Sequence, residues 1–306
     1  MRPISSARNF VDRLIGLQKA KKSIALLGVD PQLDGQGQSG LPRGFSFERF
    51  CCETVEACAE HVVGIKLQLA FFEARGVEGM KTLATVIKLG RKLDLLTVAD
   101  AKRGDIGLVS AAYADAYLGD KEFGCDAITV NPYLGSDSLI PFIDRVKRGR
   151  AVFICVKTSN QSSSEFQDLR DNGTRVWEHV AMRINELSEG FVSTCGLSPI
   201  GAVVGATFPH EASRARELMP NAILLVPGYG AQGGSANDAV AGARADGTGV
   251  LVNASRALMY AWRERPGVSA SQAAADAAKK MRQELNEALE TQKAISQNVN
   301  LATSAA

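Results

Sequence analysis

The most informative part of the sequence is residues 95–106, which read Leu-Leu-Thr-Val-Ala-Asp-Ala-Lys-Arg-Gly-Asp-Ile. It begins as an apolar run with a β-branched centre, typical of a strand covered on both faces, and ends in charged residues and a glycine. Polar groups at the end of a buried parallel strand indicate the rim of a sheet, where the carboxyl ends of the strands meet. The stretch therefore predicts a parallel strand that delivers charges to such a rim.

Seven further apolar segments alternate with helix-length amphipathic stretches, as repeated βα units do. The eight predicted strands are Ile24–Asp30, Val62–Gln68, Leu95–Asp100, Ala127–Asn131, Ala151–Lys157, Gly201–Gly205, Ile223–Val226 and Gly249–Asn253. Eight regular units predict an α/β fold, a (β/α)8 TIM barrel, and they argue against the alternative of a doubly wound open sheet.

We expect a single barrel domain over residues 1–293, with its core at about 22–265. An extra N-terminal helix, in which Phe10, Leu14 and Leu17 recur at helical spacing, should cover the barrel floor. A C-terminal Ala-rich helix is predicted to end near Lys293, and residues 294–306 are predicted to be a disordered tail. The Gly- and Gln-rich segment Pro31–Phe45 is either a mobile rim loop or a plain linker.

Composition narrows the classes of partner. The 306 residues carry a net charge of +2 with both signs interspersed, so no basic stripe predicts nucleic-acid binding. No apolar run is long enough to cross a membrane, and the six cysteines form no Cys-x-x-Cys pair. We expect a soluble, cytoplasmic protein with reduced thiols and a small-molecule ligand.

The charges of the opening stretch are the main candidates for chemistry. Side chains two apart on a strand share a face, so Asp100 and Lys102 should project together, and Gly104 then delivers Asp105 a turn later. Burying unpaired ions costs several kcal/mol each, so three charges at one strand end would stabilise a core poorly. The alternative is a solvated surface ion pair.

A second candidate site follows strands seven and eight. Residues 228–234 contain five glycines or alanines, which allow the main chain to approach an anion closely. Together with Arg256 after strand eight, they form the usual phosphate site of barrels. The alternatives are an ordinary flexible turn and an arginine paired with a surface carboxylate.

The motif Asp-x-Lys-x-x-Asp at the end of strand three resembles that of the orotidine 5′-phosphate decarboxylase suprafamily. The wording Asp-Ala-Lys-Arg-Gly-Asp-Ile is similar to that of the longer bacterial form, the type 2 subfamily. Further similar motifs occur in order over roughly residues 24–260, namely Gly28–Pro31, Gly64–Lys66, Thr129–Gly135, Val156–Asn160, Pro227–Gly234 and Asn253–Arg256.

This resemblance implies a metal-free and cofactor-free carboxy-lyase, a homodimer that converts orotidine 5′-phosphate to uridine 5′-monophosphate in de novo pyrimidine biosynthesis. It implies that Lys102 is the proton donor, that Asp100 faces the substrate carboxylate, and that Asp105 reaches the neighbouring subunit's site. Asp30 and Lys66 would hold the ribose hydroxyls and the charge network. The remaining substrate-binding residues that it implies are Ser159 at the pyrimidine edge, Gln232 and Arg256 at the phosphate, and Asn131, Pro227 and Gly233.

Two other functions stay open at this point. A sugar-phosphate decarboxylase or aldolase of the same suprafamily would use Mg²⁺ held partly by an acid on strand two, where this chain has Lys66. A non-catalytic barrel that senses a phosphate ligand would not need Asp100 and Lys102 side by side with Asp105.

Overall fold

The computed structural model describes residues 9–32, 40–230 and 233–304, with side chains as far as residue 294. Within these residues, eight parallel strands form a closed barrel in which β1 pairs with both β2 and β8. The strands are Ala25–Val29 (β1), Gly64–Gln68 (β2), Leu96–Arg103 (β3), Ala127–Val130 (β4), Ala151–Lys157 (β5), Ser198–Val204 (β6), Ala222–Val226 (β7) and Val250–Ala254 (β8). All eight predicted strands are present, and the closed barrel confirms the predicted fold class.

Helices surround the barrel. They are Phe10–Lys21 (α1), Phe47–Cys58 (α2), Leu69–Glu73 (α3), Gly76–Lys92 (α4), Gly107–Leu118 (α5), Ser136–Ile143 (α6), Ser164–Gln167 (α7), Val176–Ser188 (α8), Pro209–Leu218 (α9), Ala236–Val240 (α10), Arg256–Met259 (α11) and Ala270–Ser304 (α12). Short 3-10 turns cover Asp144–Arg148, Gln161–Ser163, Glu189–Phe191 and Ala261–Glu264. No described helix is long and apolar enough to cross a membrane.

Two features of the fold were not predicted. β3 continues to Arg103, three residues past Asp100, and this extension carries the catalytic candidates. A small antiparallel hairpin, Arg170–Asp171 with Thr174–Arg175, lies in the segment before α8. Its turn is Asn172-Gly173 with φ of 47° and 86°, the left-handed pair that an Asn-Gly hairpin turn requires.

The apolar side chains of the strands alternate between two cores. Leu26, Val98 and Phe153 point into the barrel and belong to a cluster that includes α1. Their neighbours Leu27 and Ile154 point outward and pack in the larger cluster under the surrounding helices. This alternation is the period of two that strands impose, and it leaves the polar side chains at the rim to form the mouth.

Helix α1 closes the amino-terminal end of the barrel, as predicted. Phe10 is only 1% exposed and meets Phe153 edge to face, with 6.0 Å between ring centroids. Arg13 donates a 2.5 Å hydrogen bond to Asp126, whose other oxygen accepts from the main chain and hydroxyl of Thr97. Asn9 caps the helix by accepting from the Asp12 N–H.

The C-terminal helix is longer than predicted. Helix α12 runs to Ser304 instead of ending near Lys293, so most of the segment 294–306 is helical. Residues 270–304 contain neither glycine nor proline and are rich in Ala, Gln, Glu and Lys, which favour a helix even without packing.

Replacing Phe10 by Ala should lower the free energy of unfolding by about 3–5 kcal/mol, because it removes a buried ring and leaves a cavity at the barrel floor. Urea unfolding at one protein concentration measures the change. Phe166→Ala is the matched control, since the same ring is 69% exposed there and its loss should cost under about 1 kcal/mol. Equal losses in the two variants would contradict the role of α1 as a packed floor.

Candidate active site

The end of β3 brings the two central candidates together. Lys102 Nζ donates to Asp100 Oδ1 at 2.6 Å. The carboxylate is buried, with 8% of its side chain exposed, whereas the lysine side chain is 47% exposed in the mouth of the barrel. Lys102 is therefore the member of the pair that an entering molecule can contact.

Strands β1 and β2 extend this pair into a chain of alternating charges. Lys66 Nζ donates to Asp100 Oδ2 at 2.6 Å and lies 3.8 Å from Asp30 Oδ1. The register sets this arrangement, because Gly28 pairs with Lys66 and Gln68 pairs with Asp100 across neighbouring strands. We call Asp30, Lys66, Asp100 and Lys102 the rim network.

The network holds its buried members in their charged forms. Burial by itself would raise the pKa of Asp100, but Lys66 and Lys102 outweigh it and hold that pKa well below its ordinary value. Burial would likewise lower the pKa of Lys66, yet the carboxylates of Asp100 and Asp30 raise it overall. The site thus contains fixed, alternating charges at neutral pH.

The backbone around Lys102 is irregular. The pairing of β3 with β4 shifts between Ala99 and Arg103, so β3 bulges where it carries the site. Lys102 has φ of 46°, a left-handed conformation that is uncommon for a residue with a side chain. Strand alternation alone does not place its amine on Asp100, because the bulge redirects it.

Asp105 stands apart from the network. Its Oδ1 accepts from the Ile106 N–H at 2.8 Å, and its main-chain carbonyl accepts from the buried Ser110 hydroxyl. Within the part of the chain that the structure describes, no cation lies within ion-pair distance of this carboxylate. One copy of the chain therefore does not bring Asp105 to Lys102 as a direct partner.

Ser159 lies on a loop that is fastened at both ends. Lys157, with no exposed surface, donates to both oxygens of Asp168 at 2.8 Å. The Gln167 side chain forms two hydrogen bonds with Thr158, at 3.0 and 2.7 Å. These contacts clip residues 158–168 onto the end of β5.

Gly205 sets how closely the Ser159 segment approaches β6. A Cβ added to Gly205 would lie 2.8 Å from Cβ of Ser159, so a side chain there would push the segment away. The Gly205 N–H donates to Lys157 O at 2.9 Å.

The Gly-rich segment after β7 forms a compact turn. Gly228, Gly230 and Gly233 have φ of 102°, 72° and 94°, which only glycine adopts readily. The Gly230 and Gly234 N–H groups are used within the turn, donating to Gly234 O and Gly228 O. Pro227 is half-buried at its start, and Gln232 lies outside the described residues.

Arg256 begins α11 beside this turn. A Cβ on Gly230 would lie 3.5 Å from Cβ of Ala257, so the turn and the start of α11 are in contact. Arg256 itself is exposed. Asn131, after β4, is also exposed and accepts from the Tyr133 N–H.

Several side chains at the site were not predicted. Gln68 donates to Asp100 Oδ2 at 3.1 Å, and Thr129 donates to Asp100 Oδ1 at 2.9 Å. Both could have been found from strand periodicity, since Gln68 is two residues after Lys66 and Thr129 is two before Asn131. Asp168 and Gln167 had no such signal, because they come from a loop.

Cys155 is a further unpredicted neighbour. Burial raises the pKa of its thiol to about 11, a rise that Lys102 opposes and Asp100 strengthens. The thiol is therefore neutral and lies near both charges.

This arrangement defines a class of protein, a (β/α)8-barrel enzyme with an ammonium–carboxylate network at its mouth and a glycine turn beside a strand-eight arginine. Within the described residues, no group of three His, Cys, Asp or Glu side chains is placed to hold a metal ion.

Comparison with known proteins agrees with this class. Residues 44–287 match the model of the orotidine 5′-phosphate decarboxylase / HUMPS family. The orotidine 5′-phosphate decarboxylase of Deinococcus radiodurans is 44% identical over 272 residues, which cover 88% of this chain and 94% of that protein. The enzyme of the same name from Rhodopirellula baltica is 41% identical over 259 residues, covering 78% of this chain and 84% of that protein.

A solved structure extends the match to three dimensions. The Leishmania donovani OMP decarboxylase superposes with a TM-score of 0.75 at 34% identity, covering 92% of this chain and 99% of that one. The chain belongs to the orotidine 5′-phosphate decarboxylase / HUMPS family.

Asp168→Ala should leave the Lys157 ammonium buried without its ion-pair partner. We expect it to lower the free energy of unfolding by about 2–4 kcal/mol and to loosen the Ser159 loop. Thermal unfolding and limited proteolysis measure the two effects. Replacing both partners, Lys157→Met with Asp168→Ala, should recover most of the loss because no unpaired charge remains buried. Glu165→Ala, exposed on the same loop, is the control, and an Asp168→Ala protein as stable as this control would refute the clip.

Proposed function

We propose that this protein decarboxylates orotidine 5′-phosphate to uridine 5′-monophosphate, without a metal or cofactor, in de novo pyrimidine synthesis in the cytoplasm. The observation that carries the proposal is the rim network, in which the half-exposed Lys102 ammonium is held 2.6 Å from a buried carboxylate. The names of the bacterial relatives support the choice of substrate.

The chemistry requires a preorganised positive charge. Loss of CO₂ from C6 of the orotate ring leaves an electron pair in the ring plane, where the π system cannot delocalise it. An ammonium beside this carbon stabilises the developing carbanion and then protonates it. In this proposal Lys102 is that group, and the buried Lys66 and Asp100 keep it oriented.

Asp100 alone cannot supply the acceleration. In this proposal Asp100 repels the substrate carboxylate. Two unit charges about 4 Å apart at an effective dielectric near 20 interact by roughly 4 kcal/mol, which corresponds to a factor of about 10³ in rate. The remainder must come from the Lys102 field and from binding energy at the remote phosphate and ribose. The glycine turn and Arg256 would therefore contribute to catalysis as well as to affinity.

The proposal places the rest of the substrate against the following residues. Asp30 and Lys66 would bind the ribose hydroxyls, and Ser159 would hydrogen-bond the pyrimidine edge. Within the described residues Asp30 Oδ1 has no hydrogen-bond partner and lies 3.8 Å from Lys66 Nζ, which suits an acceptor for a hydroxyl. The phosphate would be held by Gln232 and Arg256, and the other proposed contacts are Asn131, Pro227 and Gly233.

The active unit in this proposal is a homodimer with Asp105 supplied across the interface. Large apolar side chains stand exposed on the segments that follow β3 and β4, namely Ile106 (57%), Leu108 (89%), Val109 (47%), Tyr133 (88%) and Leu134 (48%). An apolar surface of this kind is typical of a protein–protein contact. A second copy that covers it would also bring its Asp105 towards Lys102, whose carboxylate partner among the described residues is Asp100.

The metal-dependent alternative fits less well. Sugar-phosphate enzymes of the suprafamily hold Mg²⁺ partly through an acid on strand two, where this chain has the buried and charged Lys66. A cation there would repel the metal. A phosphate sensor without catalysis would have no use for a half-exposed ammonium fixed against Asp100.

A spectrophotometric assay of orotidine 5′-phosphate decarboxylation in the presence of a chelator tests the proposal. We expect the wild-type protein to turn over unchanged with EDTA, and Lys102→Ala to lose about 10⁴-fold or more in kcat, because the acid and its field disappear together. Lys81→Ala removes an exposed surface lysine and serves as the control. Activity that requires Mg²⁺, or a Lys102→Ala protein within tenfold of wild type, would refute it.

Mixing inactive variants tests the shared site. If Asp105 acts across the interface, Lys102→Ala and Asp105→Ala subunits exchanged at equal amounts should regain about a quarter of wild-type activity, because half the dimers carry one complete site. Mixing Asp105→Ala with the double variant Lys102→Ala/Asp105→Ala is the control and should regain nothing. Absence of recovery in exchanged dimers would show that Asp105 acts within its own subunit or not at all.

A further inference from the structure

The bulge in β3 leaves main-chain donors without strand partners. Ala99 pairs with Ile128 and Arg103 pairs with Val130, so residues 100–102 stand opposite Thr129 alone. The N–H groups of Ala101 and Lys102 therefore lack carbonyl partners on β4. Leaving a buried main-chain donor without an acceptor is destabilising, so another group must accept from them.

The Thr129 hydroxyl accepts from both. The N–H groups of Ala101 and Lys102 each donate to Thr129 Oγ1 at 3.0 Å. The hydroxyl proton is donated to Asp100 Oδ1 at 2.9 Å. One donor and two acceptor positions are the full capacity of a hydroxyl, so Thr129, only 1% exposed, is saturated.

These three bonds converge on the reacting groups. Asp100 Oδ1, which receives the Thr129 proton, is the same oxygen that receives Lys102 Nζ. The main-chain bond at Lys102 fixes the residue whose φ is 46°. One side chain thus links the left-handed backbone of Lys102 to the orientation of the carboxylate that holds its amine.

We propose that Thr129 is a positioning residue for the decarboxylation, acting through Asp100 and the main chain of Lys102. The inference rests on the proposed function for its kinetic consequence. Two N–H donors polarise the hydroxyl and strengthen the bond that it donates to Asp100. Without the hydroxyl, the N–H groups of Ala101 and Lys102 lose their acceptor, and the main chain that carries the Lys102 side chain is no longer held in place.

Thr129→Val keeps the shape of the side chain and removes only its hydrogen bonds. We expect kcat to fall by about 100-fold, with KM and the affinity for uridine 5′-monophosphate, measured by calorimetry, changed less than about threefold. Thr129→Ser retains the hydroxyl and should stay within about threefold of wild-type kcat. A purely structural role would not separate kcat from product binding in this way.

The matched control is Thr97→Val. Like Thr129, Thr97 is a fully buried strand residue whose hydroxyl donates to a carboxylate. Thr97 lies on β3, and its partner Asp126 is at the floor of the barrel, away from the rim network. This variant should lose stability and retain kcat. If Thr129→Val does not fold, Thr129→Ala takes its place and should remain at least about tenfold below Thr129→Ser.

A crystal structure of the Thr129→Val protein tests the role of Thr129 independently of the proposed function. Lys102 Nζ should leave Asp100 Oδ1 and the φ of Lys102 should change, whatever reaction the wild-type protein catalyses. A wild-type protein inactive on orotidine 5′-phosphate would refute the function and leave this structural test standing. Unchanged geometry, kcat within threefold of wild type, or a Ser variant as impaired as the Val variant would overturn the role of Thr129.

Discussion

The site depends on one carboxylate that is saturated by donors. Asp100 accepts from Lys66 and Gln68 on one oxygen and from Lys102 and Thr129 on the other. An anion is tolerated at this depth only when its charge and lone pairs are matched, and here three strands supply the matching groups. The registers of β2, β3 and β4 are therefore fixed by chemistry as well as by packing, because a slip of one residue would turn each donor to the other face.

Much of this arrangement could be predicted from the residues themselves. Short apolar runs such as 95–100, repeated eight times between helix-length segments, predicted a closed parallel barrel once the polar strand ends were recognised. Lys66, Asp100 and Lys102 could be recognised as candidates because burying a charge at the end of a strand is costly unless the charge is paired. The left-handed glycines of 228–234 and the Asn172-Gly173 turn carry signals that depend only on local sterics.

What could not be predicted depends on contacts between distant segments. Simple alternation put Asp100 and Lys102 on one face, but a bulge and a left-handed backbone bring their side chains together. The pairing of Lys157 with Asp168 crosses a loop whose path follows no periodic rule. Asp105 illustrates a different limit, since the role proposed for it in a second copy leaves no ion pair within the described part of one chain. The end of α12 lies beyond the predicted end near Lys293 because helix propensity acts even without burial.

The left-handed backbone of Lys102 implies a conflict between the stability of the fold and the proposed activity. For a residue with a Cβ this conformation costs roughly 1–2 kcal/mol, and glycine would occupy it almost without strain. Natural selection for stability alone would therefore favour glycine at a position where the proposed mechanism requires an amine. The barrel instead retains a strained lysine and secures it with the neighbouring hydroxyl and carboxylate, as expected where function limits how stable an enzyme can become.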